Sequence, residues 1–277
     1  MVITTALFDL DRSKWTNYDR SIDHYKEHSK KVMSFRNEMV IYTTPDLKKH
    51  FEDSRRIHDP DLKKTKIITM DLNQVPFYDY LDRITEIMSS EKFIRDVRYS
   101  CIPNTNAPFD PYRPEANYPI YNIIQFAKTK FLKNTIENNY FNSNLHCWLD
   151  AGLHYLPDNL LNKTFGEKNK NELYDDKIHG FYIDPPTEKD LNKWDYYKSF
   201  NDVRIIGTWF GGSKTAMLTY SDICNKVIDD SIKEGAMSDD QNIYTIAYLE
   251  NKEKFTLHDA RPYGEKQWFA FLYHYFN

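Results

Sequence analysis

Three short apolar runs near the start of the chain, VITTALFDL, EMVIYTT and TKIITMDL, constrain its fold more than any other feature. Each reads as a buried strand. The charged segments between them, such as SIDHYKEHSKKVMSF, can form helices. Alternation of apolar strands with longer amphipathic segments specifies an α/β layer with parallel pairing.

Further along, SCIPNTNAPFDPYRPEANYPIYN carries Pro103, Pro108, Pro111, Pro114 and Pro119 and reads as an irregular loop. YNIIQFAKTKFLKNTIE follows, with Ile123, Ile124, Ala127, Phe131 and Leu132 on one helical face. SNLHCWLDAG reads as a strand ending at Asp150 with a turn at Gly152. Residues 155–202 are polar, aperiodic and interrupted by IDPPTEKD, and a stretch of this length inside a domain is expected to be a functional loop or an insertion. VRIIGTWF is the next expected strand, with GGS as a tight turn. The clearest helix is KTAMLTYSDICNKVIDDSIKEG, striped by Ala216, Met217, Tyr220, Ile223, Cys224, Val227 and Ile228, with Ser213 as its cap and Gly235 at its end. SDDQNIYTIAYLEN starts another helix, and EKFTLHD is a last short strand.

A length of 277 residues allows one large domain or two tightly joined halves. The formal charge of -4 advertises no basic surface for nucleic acid or acidic lipid, and the basic groups in RSK, DLKK and SRR read as a solvated mixed surface. The 21 Tyr, 17 Phe and 5 Trp suit core packing, and they also suit stacking on a sugar or a base. Cys101, Cys147 and Cys224 lack metal-type spacing; Cys147 and Cys224 fall on apolar positions and are expected as buried thiols in a reducing, cytoplasmic compartment. Neither a signal peptide nor a membrane-spanning window is expected.

Four short sequences fall where expected strands end or helices begin: WLDAG (148–152), WFGGS (209–213), SDDQN (238–242) and LHD (257–259). In an open α/β sheet this rim is where ligands bind. Asp150 can hold a divalent ion or a ribose hydroxyl, or simply cap a turn. Gly211 and Gly212 let the backbone approach a ligand, or make the turn into the next helix. Ser238 and Gln241 form a Ser-x-x-Gln capping box around Asp239 and Asp240, either of which can also face a developing charge or an acceptor hydroxyl. His258 is a structural imidazole or a metal ligand. At the N-terminal end, Asp9 and Asp11 in TALFDLDRSKW are open to the Asp-x-Asp reading of a haloacid-dehalogenase-like phosphatase, but Arg12 stands where that motif needs Gly, and no Gly-Asp pair follows downstream.

Taken in order, TALFDLDRSKW, MVIYTT, YNIIQFAKTKFL, WLDAG, GTWFGGS, DDQN and LHD resemble the HtrL/YibB (WlaTC-like) family of bacterial glycosyltransferases. The resemblance runs over nearly the whole chain. It implies a single GT-A-like domain over 1–277: a Rossmann-type mixed sheet flanked by helices, with 1–150 as the nucleotide-sugar half, 151–277 as the acceptor half, and a long acceptor-side loop region. It further implies transfer of a hexosyl or pentosyl unit from a nucleotide-diphosphate sugar, UDP favoured, to a glycan hydroxyl, assisted by manganese or magnesium. Thr5, Phe8, Asp9, Arg12, Lys128, Asp150, Ala151, Gly152, Gly211 and Gly212 are then donor-binding residues, with FGGS as the turn closing over the donor. Asp150, His258 and His154 are the implied metal ligands, although Gly152 stands where the second Asp of Asp-x-Asp would be. Asp240, then Asp239, with Gln241, make up the implied catalytic group. Tyr155, Trp194, Tyr196 and Tyr197 can stack on the acceptor, or pack within the loop. The alternatives are a metal phosphatase, a nucleotide-sugar hydrolase, and a non-catalytic glycan-binding relative.

Overall fold

The computed structural model describes residues 1–16, 20–98, 112–187, 203–237 and 239–276. Its centre is one seven-stranded sheet in the order β3-β2-β1-β4-β6-β5-β7. The strands are β1 (Val2–Leu7), β2 (Glu38–Thr43), β3 (Thr65–Thr69), β4 (Leu145–Leu149), β5 (Ile178–Tyr182), β6 (Trp209–Ser213) and β7 (Phe255–Asp259). β1 pairs in parallel with β2 and β4, and β2 with β3, while β6 runs antiparallel to both of its neighbours and β5 pairs in parallel with β7. The sheet is therefore mixed, with only β6 reversed.

The long helices are α1 (Ile22–Met33), α2 (Lys48–Arg56), α3 (Leu81–Ser89), α4 (Pro119–Asn138), α5 (Lys214–Lys233), α6 (Asp240–Glu250) and the C-terminal α7 (Ala270–Tyr275). They cover both faces of the sheet, which is why its inner strands are apolar almost throughout. Alternate residues go to opposite cores. Val2, Val40, Trp148 and Phe210 pack with α3, α4, α5 and α6, whereas Ile3, Ile41, Cys147 and Trp209 pack with α1, α2 and α7.

The expected helix ends are present on α5. Ser213 accepts the Ala216 N–H at 3.1 Å, and Gly235 takes a φ of 70° just past the helix. Ser21 caps α1 in the same way. Cys147 and Cys224 are buried, while Cys101 lies outside the described residues.

Four expectations need correction. WFGGS is strand β6 itself, not a strand followed by a turn. Its glycines answer to close packing: a Cβ on Gly211 would lie 2.9 Å from Cys147 Cβ, and one on Gly212 would lie 2.6 Å from the Lys177 carbonyl oxygen. We expect Gly212→Ala to cost about 1–3 kcal/mol, measured by urea unfolding, because a backbone carbonyl cannot step aside as a flexible side chain does. Second, the 155–202 stretch contains β5, a strand inside the sheet whose short IHGFY sequence carries no alternation. Third, the proline-rich loop gives way to helix earlier than expected: Pro114 opens a short helical turn and Pro119 opens α4, where proline at the first position is favoured. Fourth, two cations read as solvated are buried. Arg55 of SRR is 1% exposed and donates to the carbonyls of Met33, Phe35 and Asn37, tying the end of α1 to the entry of β2. Arg12 of RSK is the other.

Candidate active site

The strand order reverses direction between β1 and β4, so the chains leaving the carboxyl ends of these two neighbours diverge and open a crevice. A cleft of about 730 Å³ lies there. Phe8 and Asp9 follow β1 into it, Asp150 follows β4, and Lys128 reaches it from α4.

Lys128 and Asp150 line the floor, with the buried Asp240 behind Lys128. The buried Lys128 Nζ lies 2.7 Å from Asp240 Oδ2 and 3.1 Å from Asp150 Oδ1, and it donates to the Gly207 carbonyl at 3.3 Å. Asp150 is also fixed by Trp148, whose indole Nε1 donates to Oδ1 at 2.6 Å. Burial opposes the Lys128 charge, but Asp150 and Asp240 outweigh it and raise its pKa. Burial raises the Asp150 carboxyl against the pull of Lys128. The trio therefore holds an ammonium firmly charged between two acids, one of which, Asp150, stays partly open to the cleft with its side chain 26% exposed. Gly207 makes this possible, since a Cβ there would sit 2.8 Å from Asp240 Oδ2.

Asp239 and Asp240 have separate tasks. Asp239 is the N-cap of α6 and accepts the Asn242 N–H at 2.9 Å, while Asp240, in the first turn, pairs with Lys128. The cap is thus one residue later than expected; Ser238 lies outside the described residues. Gln241 sits beside Asp240, its Cγ 3.2 Å from where a Gly207 Cβ would be.

On the β1 side the cleft wall is an aromatic cage around a cation. The Arg12 guanidinium lies 4.7 Å from the Trp15 ring centroid and 5.3 Å from those of Tyr25 and Tyr121, and it hydrogen-bonds the Tyr25 hydroxyl. Trp15 stacks in turn on Tyr118 at 3.8 Å. Arg12 Nε is buried without a hydrogen-bond partner among the described residues. Arg20, Arg113 and Glu115 also line the cleft, and burial raises the Glu115 carboxyl.

The profile of the family described as "Bacterial protein of unknown function (HtrL_YibB)" matches residues 1–276. The chain belongs to the HtrL/YibB family. It is 27% identical over 280 residues to Protein HtrL of Escherichia coli (strain K12), covering 96% of this chain and 89% of the relative. Among solved structures, mouse xyloside xylosyltransferase 1 in its apo form aligns over 99% of this chain and 93% of its own, with 10% identity and a TM-score of 0.45.

In this HtrL/YibB chain, Phe8, Asp9, Arg12, Lys128, Asp150, Ala151, Gly152 and His154 all line the cleft. Thr5 does not: it is fully buried inside β1. Gly211 and Gly212 are within β6 and do not line it either. Asp9 accepts the Asp11 N–H in a tight turn, while Asp11 adopts a left-handed φ of 56° and pairs with Lys14. The Asp-x-Asp spacing there makes a turn.

The expected ligand set Asp150, His154 and His258 does not assemble. His258 is on β7, three strands from β4 and level with Leu149, roughly 14 Å away at ordinary strand spacing. The Asp150 and Asp240 carboxylates already share the Lys128 ammonium. These residues do not fit a resident manganese or magnesium ion, and no step is derived through one. His154 is exposed at the rim, with its ring edge-on to Phe269 at 5.0 Å. Of the aromatic residues expected at an acceptor, Tyr155 bonds the Tyr273 hydroxyl at 2.7 Å, while Trp194, Tyr196 and Tyr197 lie outside the described residues.

Sequence reasoning missed Tyr25, Tyr121, Trp148, Gly207 and Glu115. Trp148 alone carried a signal, as the residue two before Asp150 on the same face of the strand.

Proposed function

We propose that this chain transfers a glycosyl unit from a nucleotide-diphosphate sugar, with a uridine nucleotide favoured, to a glycan hydroxyl. The observation that carries the reading is the buried Lys128 between Asp150 and Asp240 at the floor of the switch-point cleft. The leaving diphosphate needs fixed positive charge, the sugar ring acquires positive charge as its anomeric bond breaks, and the acceptor hydroxyl must lose a proton. Arg12, Arg20 and Lys128 suit the first need and Asp150 the second. Asp240 suits the third, taking the proton as the acceptor oxygen bonds to the anomeric carbon and the diphosphate departs. The cage around Arg12 suits a base and ribose, with rings for stacking and a guanidinium for an oxygen edge. No helix among the described residues is long and apolar enough to cross a membrane.

A thermal-shift screen of nucleoside diphosphates and nucleotide sugars, each with and without manganese, tests the reading. Uridine diphosphate is expected to raise the melting temperature with the logarithm of its concentration, in both series. Arg12→Met and Asp150→Asn are expected to weaken that shift at least tenfold in ligand concentration. If no nucleotide stabilises the wild type while an oligosaccharide does, the chain is a glycan-binding protein and the transferase reading fails.

A further inference from the structure

The displaced His258 belongs to another cluster. Among the described residues, one group of three potential ligand side chains places its ligand atoms within 4.8 Å of one another, and it consists of Glu172, His258 and His274. The three come from separate parts of the chain. Glu172 lies on the helical turn Lys170–Tyr174, His258 on the outermost strand β7, and His274 on α7. His274 Nε2 is 2.9 Å from Glu172 Oε2, and the His258 and His274 ring centroids are 4.4 Å apart.

Behind this group stands a second layer. His179 of β5, fully buried, has Nδ1 3.2 Å from His258 Nε2 and Nε2 3.0 Å from Asp175 Oδ1. An ionised carboxylate only accepts, so His179 donates from Nε2 to Asp175 and its Nδ1 accepts from His258 Nε2–H. In neutral His258 this leaves Nδ1 as the nitrogen with a lone pair to give. A carboxylate ordering one imidazole that orders the next is the arrangement that fixes tautomer and basicity in metal-bound histidines.

We propose that Glu172, His258 and His274 bind one divalent first-row transition ion, zinc by preference, at the β7 edge and apart from the substrate cleft. Two imidazoles and one carboxylate form a mixed nitrogen and oxygen set suited to zinc, nickel or copper rather than to magnesium or calcium. Tetrahedral zinc with bonds of about 2.0–2.2 Å spaces its ligand atoms about 3.3 Å apart, so the pair now at 2.9 Å need open only slightly to admit it. Solvent reaches the exposed Glu172 and can complete the coordination. The ion would clamp α7 and the Lys170–Tyr174 turn to the edge of the sheet, and its part is structural.

The test uses the full chain, stripped with a chelator and then titrated with zinc sulfate by calorimetry and by thermal denaturation. The expected result is one equivalent of zinc bound with a rise in melting temperature, and a visible absorption band of tetrahedral type when cobalt replaces zinc. Glu172→Gln and His274→Asn are each expected to weaken zinc binding at least tenfold. Asp150→Asn is expected to leave it unchanged. Glu172 is exposed, so its variant remains informative even if the histidine variant folds poorly. The proposal is overturned if the folded wild type takes up no zinc, if Glu172→Gln binds it as the wild type does, or if Asp150→Asn is the variant that loses it.

Discussion

Lys128→Met is expected to destabilise the folded chain by about 3–5 kcal/mol, the cost of removing one partner from a buried charge cluster. Methionine matches the lysine stem in length, so the loss comes from charge and hydrogen bonds more than from volume. The variant leaves Asp150 and Asp240 facing each other with no ammonium between them. In the wild type, burial already raises the Asp150 carboxyl and Lys128 pulls it back. Without that pull it rises further. A carboxyl whose folded pKa exceeds its unfolded value stabilises the fold most below the unfolded pKa, near 3.9, and its contribution fades as the pH climbs through the folded pKa. The deficit of the variant should therefore be smaller at pH 5 than at pH 7. Urea unfolding at the two pH values measures it. A deficit under 1 kcal/mol, or one independent of pH, would show that the ion cluster does not hold the cleft floor together.

Asp240→Asn should act on turnover more than on stability, since Asp150 still pairs with Lys128. An asparagine oxygen can still accept from Lys128 Nζ, and the start of α6 is unaffected because its cap is the neighbouring Asp239. On the reading of Asp240 as the proton acceptor, turnover should fall by about 10²–10⁴-fold while nucleotide binding by thermal shift stays within a few-fold. Asp239→Asn provides the contrast. Burial, and then Asp240, push the Asp239 carboxyl well up, so asparagine imitates its neutral form, and asparagine caps helices as well as aspartate does. That variant should turn over much as the wild type does. The opposite pattern, with Asp239→Asn inactive and Asp240→Asn active, would exchange the two roles.

The layered fold was legible because buried strands and amphipathic helices write different periods into the chain. The runs at β1, β2, β3 and β4 and the stripe on α5 all lie where those periods put them, but β3, expected as a buried strand, is the sheet edge and none of its residues is fully buried. β5 was not legible, because five residues containing His and Gly carry too little pattern to stand out from the polar stretch around them. The glycines of β6 misled for a related reason: glycine marks close approach, and here the approaching groups are Cys147 and the Lys177 backbone rather than a ligand. At the cleft, residues beside strand ends were readable from position alone. Tyr25, Tyr121 and Gly207 were not, since they reach the site through helix packing and loop closure, which leave no local mark. His258 shows the limit most clearly. Its strand-end position was read correctly, yet only the strand order decides which neighbours it meets.

The reversed strand β6 has a consequence for synthesis. β4 is complete at Leu149, but the strand that covers its outer edge begins only at Trp209. A ribosome adding roughly 5–20 residues per second takes several seconds to bridge that interval. Throughout it, the growing chain presents the apolar LHCWL edge with unpaired backbone groups, and β5, made within the interval, still lacks the neighbour that would join it to β4. This interval is when a nascent chain is most open to pairing with another copy, and when a chaperone that shields strand edges would raise its yield most.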